Sequence, residues 1–270
     1  MHVLKKLLRL YTLLSLLLCL GFAAPIIESD YDQNLLQSKL GAAYNDSALV
    51  MVLSSFVAHL WAYNWDMFAN GILPPGVEFV PMLWGAKMFS GWHEAIEVAL
   101  ASGARYILGF NEPDSPSQAN LTPLEAMVYY KEYISPYSSK AKLVSPAVTN
   151  GGLNWMRSFM SLCHDCDISI MAVHWYGDTA EDFKTFVTEA IETSQQYNIH
   201  EIWITEFALT SAINGGDPSD SIKFLRDVIP WLNSQKAVGR FAYFMCAEGF
   251  LLEGESLGVV GKAYTASHRL

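Results

Sequence analysis

The sequence predicts an α/β protein built as one domain, a (β/α)8 TIM barrel, on three observations. Eight short apolar or β-branched runs recur along the chain, a polar break and a longer helical pattern separate successive runs, and no low-complexity linker interrupts the series. That alternation is the pattern of parallel strands with helical crossovers. Eight such units in about 250 residues is the number that closes a barrel. The alternative, an open doubly wound sheet, lacks its marks: no run is followed by a glycine-rich phosphate turn or a dinucleotide fingerprint.

Before the first run, Lys5, Lys6 and Arg9 precede an apolar stretch at 13–20, and Gly21, Ala23 and Ala24 suit a peptidase. Residues 1–23 therefore read as a secretory signal cleaved after Ala23, leaving 24–270 as the domain. A membrane anchor is disfavoured, because the apolar core is short and Pro25, Glu28, Asp30 and Asp32 follow at once. The mature protein is expected to be secreted, extracellular or wall-associated, without a membrane segment. Cleavage removes three of the 17 basic residues and none of the 27 acidic ones, leaving a net charge of −13. Such a charge excludes nucleic acid as a partner but selects no substrate.

The runs, in order, are KLGAAYN (39–45), FVAHLWAYNW (56–65), VEFVPMLWG (77–85), RYILGFNEP (105–113), KLVSPAVT (142–149), ISIMAVHWY (168–176), EIWITEF (201–207) and RFAYFM (240–245). Helical patterns fall at 92–101, 123–137, 153–162, 180–197 and 218–235. Thr122 before Pro123 is a cap and first-turn pair. Asn45 and Asn120 begin N-glycosylation sequons. Of the cysteines beyond the signal, Cys163 and Cys166 form the close pair, and a local disulfide suits a secreted chain. A zinc half-site there would need a second ligand pair, which the sequence lacks. Cys246 is expected to be a buried free thiol.

Barrel active sites sit at the carboxyl ends of the strands, and there the fourth and seventh runs each end in a glutamate. Glu112 follows YILGFN and is closed off by Pro113, which cannot continue a ladder. Glu206 ends the apolar series IWIT. Two carboxylates brought together resist ionising together, which separates an acid from a nucleophile. Glycoside hydrolysis with retention uses that division at a spacing of about 5 Å. The other strand ends carry rings able to stack on sugars: Trp61, Tyr63 and Trp65, Trp84, Trp175 and Tyr176, and Tyr243 and Phe244. Asn64 lies among the first of these. Asn111 offers a donor and an acceptor to a sugar hydroxyl, and His174 stands at a strand end beside them. Trp203, by strand alternation, is expected to face the helices, away from Glu206. Trp92, Trp155 and Trp231 read as packing, Asp114 as a loop cap and Glu248 as solvated.

The ordered set WAYNW, VPMLWG, GFNEPD, SPAVT, AVHWYG and WITEFA, spanning 39–264, resembles glycoside hydrolase family 128, fungal and bacterial β-1,3-glucanases. The resemblance implies a barrel of the retaining clan, with the acid/base after Asn on strand four and the nucleophile on strand seven. Carried over, Asn111-Glu112-Pro113 matches the first motif and Thr205-Glu206-Phe207 the second. It further implies double-displacement hydrolysis of β-1,3-glucan without metal or cofactor, with Asn111 on the sugar 2-hydroxyl and His174, Trp175 and Tyr176 near the cleaved bond. Many clan members carry Trp at the end of strand eight; here AYFMC leaves Phe244 or Tyr243 for that place. Endo action by a monomer is the expectation. Two alternatives stay open: a secreted glucan-binding protein on an idle barrel, and a glucanase of β-1,4 or mixed linkage.

Overall fold

Small and β-branched residues fit a strand buried on both faces, and the first such element among the described residues is β1 (Gly41–Ala43). The structure, a computed structural model, describes residues 38–266; the expected signal at 1–23 and Cys19 lie outside them. β1 pairs in parallel with β2 (Trp61–Tyr63), and β2 with β3 (Glu78–Phe79). A second parallel sheet runs β4 (Tyr106–Ile107), β5 (Lys142–Val148), β6 (Ile168–Gly177), β7 (Ile202–Leu209) and β8 (Val238–Tyr243), in chain order. All eight expected runs hold a strand: the first five strands are shorter than their runs, while β6 and β7 continue past the carboxyl ends of theirs and β8 begins before its run.

Isolated bridges join the two sheets at both edges. Met82 pairs with Leu108 beyond β3 and β4, while Leu40 pairs with Phe241 and Tyr44 with Cys246 alongside β1 and β8. The amides of Phe241 and Cys246 each donate at 2.8 Å to the carbonyls of Lys39 and Ala43. The result is an α/β domain on a curled parallel sheet. Its concave face packs Trp61, Tyr63, Met82, Tyr106, Leu108 and Trp203 together. The larger core fills the space between the convex face and the helices.

The helices are α1 (Val50–Ser54), α2 (Trp92–Ala101), α3 (Pro123–Tyr133), α4 (Leu153–Leu162), α5 (Ala180–Gln196), α6 (Thr210–Ile213), α7 (Pro218–Ser234) and α8 (Val259–Ala266). Thr122 caps α3 in a reciprocal box with Glu125, as its position before Pro123 predicts. The expected helix at 123–137 stops early. Pro136 has no amide to donate, and the chain passes into a 3-10 turn, Ser135–Tyr137. Four elements among the described residues carry no strong periodic signal and were not expected: α1, α6, α8 and the hairpin of β9 (Leu252–Glu253) with β10 (Ser256–Leu257). No helix among the described residues is long and apolar enough to cross a membrane.

Trp203 corrects the expectation that it faces the helices. It lies on the concave side, with ring centroids 5.3 Å from Trp61 and 4.9 Å from Tyr106, and the Arg240 guanidinium 4.5 Å away. The reason is a bulge. Pairing steps from Val173 with Ile204 directly to His174 with Glu206, so Thr205 is extra in β7 and the parity of the strand changes. Trp203 and Glu206 thereby share one face, while Ile204 and Phe207 both pack on the other.

Cys163 and Cys166 are disulfide-bonded at the end of α4. Cys246 is free and buried, and burial pushes its thiol up to about 12.

Candidate active site

Beyond β4 the backbone follows its neighbours before it turns. The Asn111 amide donates to Trp84 O at 2.9 Å and the Glu112 amide to Ala147 O at 2.8 Å. Glu112 then adopts φ of +42°, in the left-handed region, which costs a non-glycine residue about 1–3 kcal/mol. Loop bonds from the Ser115 amide to Glu112 O and the Leu121 amide to Pro113 O hold the turn. Its outcome is a carboxylate turned into the sheet's concavity instead of continuing along the strand.

The β7 bulge delivers the second carboxylate. Glu206 is 5% exposed, and both its oxygens are held: Trp65 Nε1 donates to Oε1 at 2.6 Å and the Tyr176 hydroxyl to Oε2 at 2.5 Å. His174, fully buried in β6, lies beneath the pair. Its Nδ1 is 2.9 Å from Glu112 Oε1 and 3.5 Å from Glu206 Oε1, and its Nε2 is 2.9 Å from Thr205 Oγ1. One oxygen of each carboxylate and an imidazole nitrogen all lie within 4.8 Å of one another.

Burial alone would push the His174 imidazole down; the Glu206 charge, then the hydrogen bond and charge of Glu112, outweigh it and raise it. Tyr176 and Tyr63 are raised by burial first and by Glu206 next, so both stay donors. The cluster is the closest approach of histidine and carboxylates among the described residues. Both imidazole nitrogens and both Glu206 oxygens have hydrogen-bond partners there, so the cluster is one connected network.

A cleft of about 420 Å³ opens above the carboxylates. Among the expected site residues, Trp65, Trp84, Asn111, Glu112, Tyr176, Glu206 and Phe244 line it. Five do not. Trp61 and Tyr63 are buried lower in the concavity, stacked 5.9 Å apart, with the Tyr63 hydroxyl given to Thr205 O. Asn64 is buried and binds Phe68 O. Trp175 and Tyr243 point out of the concavity, since their neighbours in the strand point in. Trp175 stacks on Phe224 at 5.7 Å, and the Tyr243 hydroxyl reaches Ser221 Oγ at 3.3 Å. Between the two candidates at the end of β8, Phe244, one residue beyond the strand, is the one at the cleft.

Three contributors carried little sequence signal. Gln118, in a polar loop without periodicity, lines the cleft and accepts from Asn111 Nδ2 at 3.2 Å. Thr205 binds His174; a hydroxyl next to a strand-end glutamate was the available clue. Asn45, expected as a glycan site, also lines the cleft, so a glycan there would stand at its mouth; Asn120 is exposed elsewhere. Asp114 accepts from the Thr149 amide at 3.1 Å, the loop role expected of it. Glu248 is exposed at the surface.

A family model described as "Glycosyl hydrolase catalytic core" matches residues 41–264. Alkali-sensitive linkage protein 1 of Schizosaccharomyces pombe is 32% identical over 196 residues, which are 68% of this chain and 34% of that protein. The chain thus spans about a third of the length of that curated relative. Among solved structures, a subgroup III curdlan-specific exo-β-1,3-glucanase of glycoside hydrolase family 128 from Blastomyces gilchristii, with glucose, is 40% identical with a TM-score of 0.78, covering 84% of this chain and 97% of the other. A subgroup I endo-β-1,3-glucanase of that family from Amycolatopsis mediterranei, with laminaritriose, is 27% identical with a TM-score of 0.72, over 84% and 98%.

Proposed function

The chain belongs to glycoside hydrolase family 128, and from that premise we propose that it hydrolyses β-1,3-glucan with retention, Glu206 acting as nucleophile and Glu112 as acid/base. The observation that carries the reading is the approach of the two carboxylates to within 4.8 Å at the floor of one cleft. Inverting enzymes need room for a water between the groups, about 6.5–9.5 Å.

In the first step Glu206 attacks the anomeric carbon while Glu112 protonates the departing glycosidic oxygen. In the second, Glu112 takes a proton from water, which attacks the same carbon and releases Glu206. The donors on Glu206 orient its carboxylate, and His174, bonded to Glu112, keeps that group turned toward the leaving oxygen. Trp84 and Phe244 flank the cleft as surfaces for sugar rings. Asn111 presents its amide for a hydroxyl.

The edge bridges support a sheet closed into a complete (β/α)8 barrel. Secretion after removal of 1–23 belongs to the same reading, supported by the Cys163–Cys166 disulfide, which suits an oxidising compartment. Both glutamates come from one chain, which supports action as a monomer. The mode expected from sequence, attack within chains, competes with attack from ends, since the Blastomyces relative is exo-acting and the Amycolatopsis one endo-acting.

The test is product chromatography on laminarin, curdlan, cellulose and barley glucan. Release of β-1,3 products by the native protein and not by Glu206→Ala upholds the proposal, and early oligosaccharide ladders rather than a single small sugar assign the endo mode. Adsorption to glucan without any release favours a binding protein instead.

A further inference from the structure

We infer that Trp65 is a positioning residue for Glu206, serving the carboxylate through its indole N–H rather than offering a sugar platform. The inference rests on the reaction proposed above, and two separate observations carry it. Trp65 sits at φ of +58° just past β2. That left-handed region is rarely occupied by bulky residues and stores strain where function demands a fixed direction. The turn is pinned by Asn64 Nδ2 on Phe68 O at 2.9 Å and by the Met67 amide on Asp66 Oδ1 at 2.7 Å.

The second observation is what the turn achieves. The ring is wedged between Tyr63, at 5.2 Å, and Phe244, at 5.8 Å, both inclined to it by about 60°. Its nitrogen edge meets Glu206 Oε1 at 2.6 Å, short for a nitrogen donor. Tyr176 holds the other oxygen from β6, so two donors on opposite strands of the cleft fix the carboxylate plane. A small rotation of that plane would take the attacking oxygen off line. Sequence reading groups Trp65 with the sugar-facing rings; the edge-on bond and the wedge separate it from Trp84.

The test uses Trp65→Phe in the full chain with laminarin. A smaller aromatic ring remains between Tyr63 and Phe244 while the donor goes. We expect kcat to fall about tenfold to a hundredfold, the range for a hydrogen bond to a charged group, with KM little changed. The acid limb of kcat/KM against pH should move to higher pH, because an anion that loses a donor is easier to protonate. His174 and Tyr176 from β6, Tyr63 from β2 and Glu112 still face Glu206 in the variant, so the movement reads the lost N–H. A raised KM with kcat and the limb unmoved overturns the inference and makes Trp65 a platform. A second arm needs neither that variant nor turnover: in the native protein, an indole N–H resonance should titrate and lose its pH dependence in Glu206→Gln, which sets Trp65 apart from Trp203, whose N–H donates to Glu201 Oε1 at 2.7 Å. If no indole resonance loses its pH dependence in Glu206→Gln, the inference fails. Absence of glucan cleavage would sink the proposed reaction but leave this arm to decide the contact.

Discussion

His174 Nδ1 lies 2.9 Å from Glu112 Oε1. Because Glu206 Oε1 is also only 3.5 Å from that nitrogen, one buried imidazole answers to both carboxylates. Their combined pull raises it against the opposing effect of burial. A histidine raised on folding stabilises the folded state fully below its unfolded value of about 6.5, and the contribution is lost as pH climbs through the folded value. The Tm deficit of His174→Asn is therefore expected to contain a part that is largest below pH about 6.5 and shrinks on raising the pH. A deficit that grows with pH contradicts the network.

Each glutamate should be individually indispensable. Glu112→Ala and Glu206→Ala are expected to lower turnover by on the order of a thousandfold or more while circular dichroism stays native. Azide distinguishes the two roles on a glycoside with an activated leaving group. Filling the space of the missing nucleophile gives the α-glycosyl azide from Glu206→Ala, whereas attack on the glycosyl-enzyme gives the β-anomer from Glu112→Ala. The reverse assignment would exchange their roles.

Two tryptophans assigned alike by sequence should behave differently. Trp84 lines the cleft, with Lys87 Nζ 3.4 Å from its ring centre, and Trp84→Ala should raise KM with little change in stability. Trp175 is 2% exposed among Phe183 and Phe224, so Trp175→Ala should cost about 3–5 kcal/mol in a denaturant titration. Comparable effects of both on KM would place Trp175 nearer the substrate than its packing allows.

The cysteines separate stability from chemistry. Cys163 and Cys166 close a loop three positions apart, so Cys163→Ser should cost at most about 2 kcal/mol and leave kcat/KM unchanged. Cys246, buried and pushed up to about 12, should react with a thiol reagent only after unfolding. Rapid labelling of the native protein would mean that the segment beyond β8 opens.

By itself the sequence determined the eight parallel strands, the five longer helices between them, the two glutamates and the disulfide. Each is local: a period of two or 3.6 marks an element, a proline ends a strand at Glu112, and cysteines three apart can bond. Tertiary structure alone decided which rings meet the cleft, because that depends on strand parity, and parity is reset by one extra residue. The bulge at Thr205 brings Trp203 and Glu206 to the same face, against simple alternation. Trp175 and Tyr243 turn toward the helices while Tyr176 and Phe244, one residue on, reach the cleft. The Trp65 bond to Glu206 spans 141 positions and the His174 bond to Glu112 spans 62. No periodicity encodes such pairings; they arise when the curled sheet brings distant strand ends within hydrogen-bond reach.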